Sequence, residues 1–482
     1  MHKLHLNFRI LLLFIPLLFL GSCNDWLDLE PQNALVVEEF WQKREDVEAV
    51  LAAMYDNFRA NAEESFLYGE LRADMLNFED LAIEYSSYYR ISKSDITSSN
   101  GKANWSGYYS AINLANTILQ FAPEVQSRDE QLTAETLAGY EAEALFIRSL
   151  NYFFLVRTWK DVPYVTEATS SDTIEIFLPK SDEYTVLSQV IKDLELAEEK
   201  AFDSYYNNRP ELFRGRANRY AIQALLADIH LWMGHYQQCI DYCNKVINEG
   251  IYQLQPGEPW LWFEMYNPGN CMESIFEIQF DDKLPGQENS MHRQLFGLIE
   301  PAEKTSDLFS PDDLRQCGNY GIMWKYQGVD YESMIPRSTS ERDANFIYYR
   351  YADLLMMKAE ALGELGLFDD GTGLINLVAE RAGMLGVLSP GTLESYRSLV
   401  LDERAREFAA EGKRWYDILR FAKRNQFEDK SLIMDILLEG VDIKELPSRK
   451  AQVLDTMGYY LPIPERDLLY NPNLIQNPFY DK

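Results

Sequence analysis

Apolar residues recur at helical spacing along most of the chain, and that period makes helix the dominant regular structure. Over residues 39–58, Val47, Val50, Leu51, Met54, Tyr55 and Phe58 fall on one stripe. Similar stripes run through 106–121, 135–158, 184–200, 217–249, 348–383 and 394–422. One stretch departs from this period. In ESIFEIQF (273–280), Phe276, Ile278 and Phe280 alternate with Glu277 and Gln279, as in a half-buried strand. The expected fold is therefore mainly α, with irregular loops and a few short strands.

Two helix pairs share a finer pattern. In LLADIHLWMGHYQQC, Ala227 is followed seven residues on by Gly234 and then by Tyr236; in MMKAEALGELGLFDD, Ala359 is followed by Gly366 and then by Phe368. A small Ala lets two antiparallel helices approach, Gly permits the sharp turn, and the aromatic ring packs back on the pair, as in tetratricopeptide hairpins. Two such units cannot bury a continuous face, because stable arrays need three or more. The helices at 106–121 and 135–158 are the expected partners. The expected organisation is one body over 23–482, with hairpin helices within 39–249 and 348–422. Irregular stretches at 77–104, 250–272 and 281–345 are long enough to carry function, and their tyrosines and tryptophans argue for order. The segment 455–482, with Pro462, Pro464, Pro472 and Pro478, reads as an extended strap over the body.

The N-terminus is a different kind of segment. Lys3 and Arg9 precede an apolar run, Leu11–Leu20, that ends in Gly21, Ser22 and Cys23. The run is shorter than the roughly 20 residues of a membrane span, so 1–22 reads as a secretory signal. Leu20-Gly21-Ser22-Cys23 resembles the lipobox of bacterial lipoproteins, with Ser22 in place of the commoner Gly or Ala. That resemblance implies a diacylglycerol on Cys23, which would become the mature N-terminus and anchor the body to a membrane. Asn24, Asp25, Asp28 and Glu30 suit the outer membrane and its outer face.

Charge and composition narrow the partners. Removing 1–22 takes away two basic and no acidic groups, moving the net charge from −31 to −33. Phosphate backbones repel such a surface, which excludes nucleic acid and direct adsorption to anionic lipid. The 46% apolar and 13% aromatic content lets the chain bury a large core. Besides Cys23 there are Cys239, Cys243, Cys271 and Cys317, too few for a disulfide scaffold and expected to be mostly buried thiols. On one helix, His230 and His235 would stand about 140° apart, so they are not expected to share a metal. No metal or other cofactor is expected.

Longer motifs now point to a family. ERAREFAAEGKRWYDILRFAK (403–423), YYRYADLLMMKAEAL (348–362), GYYLPIPERDLLYNPNLIQNPFY (458–480) and AEALFIRSLNYFFLVRTWKDVPYV (142–165) resemble the SusD/RagB family of outer-membrane nutrient-binding lipoproteins. CNDWLDLEP at the mature start and WSGYYSAINLANTIL (105–119) also fit, and the matches follow family order across nearly the whole mature chain. The resemblance implies an α-helical body with tetratricopeptide-like units that binds a nutrient without catalysis. It also implies a partner, a SusC-like TonB-dependent transporter capped by the lipoprotein. Family members take starch, other glycans or peptides.

The most conspicuous motif reads as scaffold. On one helix Glu403, Glu407 and Glu411 would succeed one another at i, i+4, with Arg404, Arg406 and Arg414 placed to neutralise them. An acid/base pair requires two carboxylates in different environments, which such a ladder does not offer. No H-E-x-x-H, G-x-S-x-G, Walker loop or dinucleotide fingerprint occurs, so no catalytic residue is assigned. A glycosidase and a purely structural lipoprotein are the rival readings.

Sugars present apolar C–H faces edged by hydroxyls and favour aromatic plates beside amide and guanidinium donors. IEYSSYYRISKSDITSSNGKANW (83–105) supplies Tyr85, Tyr88, Tyr89, Arg90 and Asn100 in one irregular segment. In starch-binding relatives the loop before the W...Y..I..AN helix contributes to the glycan site, and this segment takes that place. The alternative is that these tyrosines only pack the loop onto the helices. Trp324 and Tyr326 in GIMWKYQGVDY are further candidates, whereas Trp105 is expected in the core.

Overall fold

The fold is that of a computed structural model, which describes residues 40–78, 86–169, 177–203, 209–289, 298–316, 324–327, 329–330, 335–338, 340–428 and 430–481. The chain divides into a unit Met1–Gln42 and a unit Lys43–Lys482. In the first, Phe40 and Trp41 set their rings edge to face at 5.3 Å. Cys23 and the signal segment lie outside the described residues.

The second unit opens with α1 (Arg44–Ala60), a short α2 (Ala62–Phe66), a π-turn over Leu67–Leu71, and β1 (Leu76–Phe78). Then come α3 (Ser86–Ser92), α4 (Ser106–Gln126), α5 (Ala134–Trp159) and α6 (Glu183–Lys200). Next are α7 (Pro210–Gly215), α8 (Arg219–Trp232), α9 (Tyr236–Glu249) and α10 (Pro259–Glu264). The irregular region holds β2 (Ser274–Ile278), β3 (Ile299–Pro301), α11 (Glu303–Leu308), α12 (Trp324–Gln327), β4 (Val329–Asp330), β5 (Ile335–Pro336) and β6 (Phe346–Arg350). The chain closes with α13 (Tyr351–Glu364), α14 (Phe368–Arg381), α15 (Leu393–Glu407), α16 (Arg414–Lys423), α17 (Ser431–Leu438), α18 (Leu446–Leu454) and α19 (Glu465–Tyr470).

Several helices start where an oxygen side chain satisfies an orphan amide. Thr133 accepts from Thr136 N at 3.1 Å, Asp182 from Thr185 N at 3.0 Å, Asn218 from Ala221 N at 3.0 Å and Thr392 from Ser395 N at 3.2 Å. α8 and α9 form one hairpin, α13 and α14 another, and α9 packs on α13. Gly234 (φ +76°) and Gly366 (φ +80°) make the turns, while Ala227 and Ala359 are buried where the helices meet. Every residue of α5 from Ala142 to Trp159 is buried, so this helix is the axis of the body rather than an amphipathic cover. β2 pairs antiparallel with β6, Glu277 opposite Ile347 and Ile278 opposite Phe346. The half-buried strand expected from alternation is instead buried at every position, Glu277 included. Glu277 accepts from Asn270 N at 2.8 Å and Asn345 Nδ2 at 2.6 Å, which is how a polar period survives inside.

The glutamate ladder is buried, but its geometry differs from the expected one. α15 ends at Glu407, and Ala410 (φ +63°) and Gly412 (φ +73°) reverse the chain, so Glu411 belongs to a turn. Its main cations arrive from elsewhere. Arg350, at the end of β6, donates Nε to Glu411 Oε2 (3.0 Å), Nη1 to Glu273 (2.6 Å) and Glu407 (2.6 Å), and Nη2 to Glu411 Oε1 (2.9 Å) and the Glu407 carbonyl (2.8 Å). Arg315 reaches Glu403 at 2.6 Å, Lys325 reaches Glu411 at 2.6 Å, and Arg381 joins Glu407 to Glu273. Of the expected arginines, Arg406 pairs with Glu403, Arg404 turns to Asp417, and Arg414 turns to Asp74. Burial opposes ionisation of Glu407, but Arg381, Arg350 and Arg315 outweigh it and hold the carboxyl well below the ordinary range. At Glu411, burial is likewise outweighed by Arg350, Lys325 and Lys413.

Removing one member of such a network strands buried charge. Arg350→Met is expected to cost about 3–5 kcal/mol in urea unfolding, against about 1 kcal/mol or less for the more exposed Arg406→Ala. Because Glu407 and Glu411 have depressed folded values, their stabilisation is complete above the unfolded carboxylate value of about 4.3 and is lost as pH falls below it. Thermal melts are therefore expected to drop between pH 5 and pH 3, with a smaller drop in Glu407→Gln.

Candidate functional site

A polar groove of about 540 Å³ is built by segments far apart in sequence. One wall is the ribbon of β1 and β3, in which Asn77 stands opposite Glu300 and Phe78 opposite Ile299. The start of α11 continues it, fixed by Thr305 Oγ1 donating to the Met75 carbonyl at 2.7 Å. The α17–α18 connection also lines the groove; there Gly440 (φ +69°) turns the chain and Lys444 N donates to Asp442 Oδ1 at 2.7 Å. The end of α3 forms the third side.

Arg449 of α18 is the pin between these segments. Its guanidinium is buried and donates to the carbonyls of Arg72 (3.2 Å), Ala73 (3.2 Å) and Ser92 (3.0 Å) and to the Ser94 hydroxyl. Burial lowers its pKa to about 10, against the pull of Asp74 and Glu445. Asp74 is gripped by Arg414 through Nε (2.9 Å) and Nη2 (3.1 Å). At the rim, Lys93 Nζ lies 3.1 Å from Glu445, whose other oxygen accepts from Tyr89 OH at 3.4 Å.

The charge of the groove is one-sided. Among the described lining residues, Asp74, Glu300, Glu303, Asp307, Glu439, Asp442 and Glu445 are acidic and Lys93 and Arg449 are the cations. Such a surface offers hydroxyls many acceptors and repels anions.

Tyr89, Arg90, Tyr88 and Asn100 fare differently from one another. Tyr89 reaches the rim, and Arg90 is exposed beside Asp95 at 3.7 Å. Tyr88 is buried: its ring stacks on Phe78 at 5.9 Å, its hydroxyl donates to Glu63 at 2.7 Å, and Lys102 sits 4.9 Å over the ring. It packs α3 onto the body and offers no open face. Asn100 staples its own loop, donating to the Ser87 carbonyl at 3.1 Å and accepting from Lys102 N at 2.9 Å. Tyr326 is in the core, where its hydroxyl donates to the Ala410 carbonyl at 2.7 Å and its ring stacks on Phe346. Tyr85 and the side chain of Trp324 lie outside the described residues. Trp105 is buried, as expected of a core residue.

One further reading changes. α8 stops at Trp232, so His235 is not on the helix of His230; the reversal at Gly234 brings their Nδ1 atoms to 3.2 Å. Burial, then the proximity of His235, lowers the His230 pKa to about 4. Two imidazoles alone do not make a metal site, and among the described residues no cluster of three or more metal-ligating side chains occurs. Cys239 and Cys243 are buried free thiols and Cys271 is half-buried and free, while Cys317 lies outside the described residues.

Fold and groove together define a class, a body of helical hairpins with a polar groove built where irregular segments meet. Residues 25–231 match a family model described as "Starch-binding associating with outer membrane", and 244–480 match that of the "SusD family". The SusD-like protein P38 of Formosa agariphila is 27% identical over 475 residues, covering 86% of this chain and 90% of its own. A SusD-like protein of Bacteroides ovatus is 22% identical over 568 residues, covering 99% and 98%. Among solved structures, a SusD superfamily protein of Bacteroides vulgatus superposes with a TM-score of 0.73 at 22% identity, covering 91% of this chain and 100% of that one. A laminarin-binding SusD-like protein superposes with a TM-score of 0.71 at 20% identity, covering 91% and 99%. The chain belongs to the SusD family.

Tyr88→Ala is expected to lower stability by about 3 kcal/mol in urea unfolding, as truncation of a buried ring does. Tyr89→Ala, at the half-buried rim, is expected to leave the unfolding midpoint nearly unchanged.

Proposed function

We propose that this protein captures a neutral extracellular oligo- or polysaccharide in the acidic groove and passes it on unmodified. The observation that carries this reading is the groove itself, rich in carboxylate acceptors, with Lys93 in its lining and Tyr89 bonded to Glu445 at its rim; Arg90, next to Tyr89 in the chain, is proposed as a further donor. Carboxylates accept from pairs of sugar hydroxyls, Lys93 and Arg90 donate, and the Tyr89 ring gives a C–H face something to lie on. Tyr85, seven residues before Ser92, is proposed as a second aromatic contact. Uronate and sulfate groups meet like charge and are disfavoured.

Binding without cleavage is the favoured mechanism. A glycosidase requires two carboxylates in contrasting environments, one protonated and one ionised. Here Asp74 is locked to Arg414 and Glu445 to Lys93, which suits holding a ligand. The laminarin named for one structural relative and the starch named for the matched family model are both neutral glucans, in keeping with the charge. A Lys- and Arg-rich peptide would also meet favourable charge, which keeps a peptide ligand as the second reading. The rest of the assembly is proposed from the N-terminal segment and the family resemblance. Cys23 is proposed to carry lipid that fixes the protein to the outer membrane, facing outward, over a SusC-like TonB-dependent transporter that receives the glycan.

Isothermal titration against laminarin, starch, alginate and a mixed peptide digest tests the ligand class. A neutral glucan is expected to bind and alginate is not, and Tyr89→Ala is expected to weaken binding by about 1 kcal/mol or more. Binding of alginate with silence from the neutral glucans would overturn the reading. Shortening of the glycan by contaminant-free protein would replace it with an enzyme, and a transporter absent from mild-detergent preparations would remove the partner.

A further inference from the structure

Among the described residues, a second groove, of about 760 Å³, shares no lining residue with the first. It opens between α1, α7 and the chain that follows β2, and its volume is within the range of small-ligand sites. Its floor is apolar: Leu51 from α1, Leu212 from α7 and Ile278 from the end of β2. Ala52 and Ala53 are exposed along it and add no bulk, so the floor stays open on a helix otherwise lined with charge.

The polar groups around this floor are already held in position. Arg216 grips the buried Glu143 through Nε at 2.9 Å, and the same carboxylate accepts from Tyr55 OH at 2.7 Å. Arg59 donates to Gln287 Oε1 at 3.3 Å and pairs with Asp56. Glu48 accepts from Arg44 Nε at 2.7 Å and from the Tyr140 hydroxyl, and Glu211 pairs with Arg209. Each of these carboxylates has a guanidinium beside it, so the groove is electrically balanced where the first is acidic. A balanced rim attracts neither an anion nor a cation strongly. An apolar floor edged by fixed amide, guanidinium and carboxylate groups matches a molecule with C–H faces and many hydroxyls.

We propose that this groove is a second site for a short stretch of neutral oligosaccharide, so that one protein holds a long glycan at two places. The inference rests on the glycan reading of the first groove. It adds that a chain long enough to span both sites is retained by effective concentration, without new contacts at either.

Ala53→Trp fills the groove from an exposed helix position, with circular dichroism as the check on folding; Ala52→Arg is the second blocking variant. Laminarihexaose and maltohexaose are titrated into the wild type, both blocking variants and Tyr89→Ala. The expected result, for whichever hexasaccharide binds, is two equivalents per wild-type protein and one in each blocking variant. Laminarin or starch is expected to bind a blocking variant at least about tenfold more weakly than the wild type. Isotherms unaltered by both blocking variants overturn the second site and leave the first standing. Binding that is lost in the blocking variants but intact in Tyr89→Ala supports this groove and overturns the first. Silence from both hexasaccharides and both polymers overturns the glycan reading and this inference together.

Discussion

The guanidinium of Arg350 is the constraint from which the rest of the structure follows. All five of its N–H groups donate, to Glu273, Glu407 and Glu411, at the centre of a network that also takes in Arg315, Lys325 and Arg381. These residues come from the position just before β2, from β6, α14, α15 and the turn after it, and from the irregular region between the helix pairs. Desolvating that much charge is costly, and it is offset only when every partner is present at hydrogen-bonding distance. The network thus admits one arrangement of these segments, and it fixes how the two helical parts of the body meet.

The same constraint extends to the acidic groove. Past Glu407 the chain reverses through Ala410 and Gly412, whose amides donate to the buried Glu70 carboxylate at 2.9 and 3.0 Å. Gly69 lies so close to Gly412 that any Cβ on it would collide with the Gly412 carbonyl oxygen at 1.8 Å. Two residues further on, Arg414 takes hold of Asp74 at the groove wall. The groove wall at Asp74 is therefore tied to the core through a few residues of backbone. A wall fixed before a ligand arrives lowers the ordering cost of any binding there.

Helical periodicity made most of the architecture readable from sequence, because an apolar stripe reports directly on which face is covered. The stripe of α1 delivers Val47, Leu51, Met54 and Phe58 to the core, and the Ala–Gly–aromatic spacing marked both hairpins. The misreadings share a cause, a backbone reversal or a distant partner that local spacing cannot register. Glu411 looked like the next rung of a helix because nothing in the period announces a turn at Ala410. His235 looked remote from His230 for the same reason at Gly234. The irregular segment before α4 was recognisable as the place of a groove, yet Tyr88 and Asn100 in it are absorbed by Phe78, Glu63 and the loop's own backbone. The groove's acids on α11 and before α18 belong to segments more than a hundred residues apart, and only the tertiary fold brings Glu303 and Asp442 into one groove.

The central claim is that the acidic groove holds a neutral glycan on a frame that does not alter it. Hydrogen–deuterium exchange of the intact protein with and without laminarin or starch, whichever binds in solution, tests it most directly. The account predicts slowed exchange in 298–307, 89–94 and 439–449 and an unchanged glycan length after incubation. Bound glycan with no change of exchange in any of these three segments would contradict it.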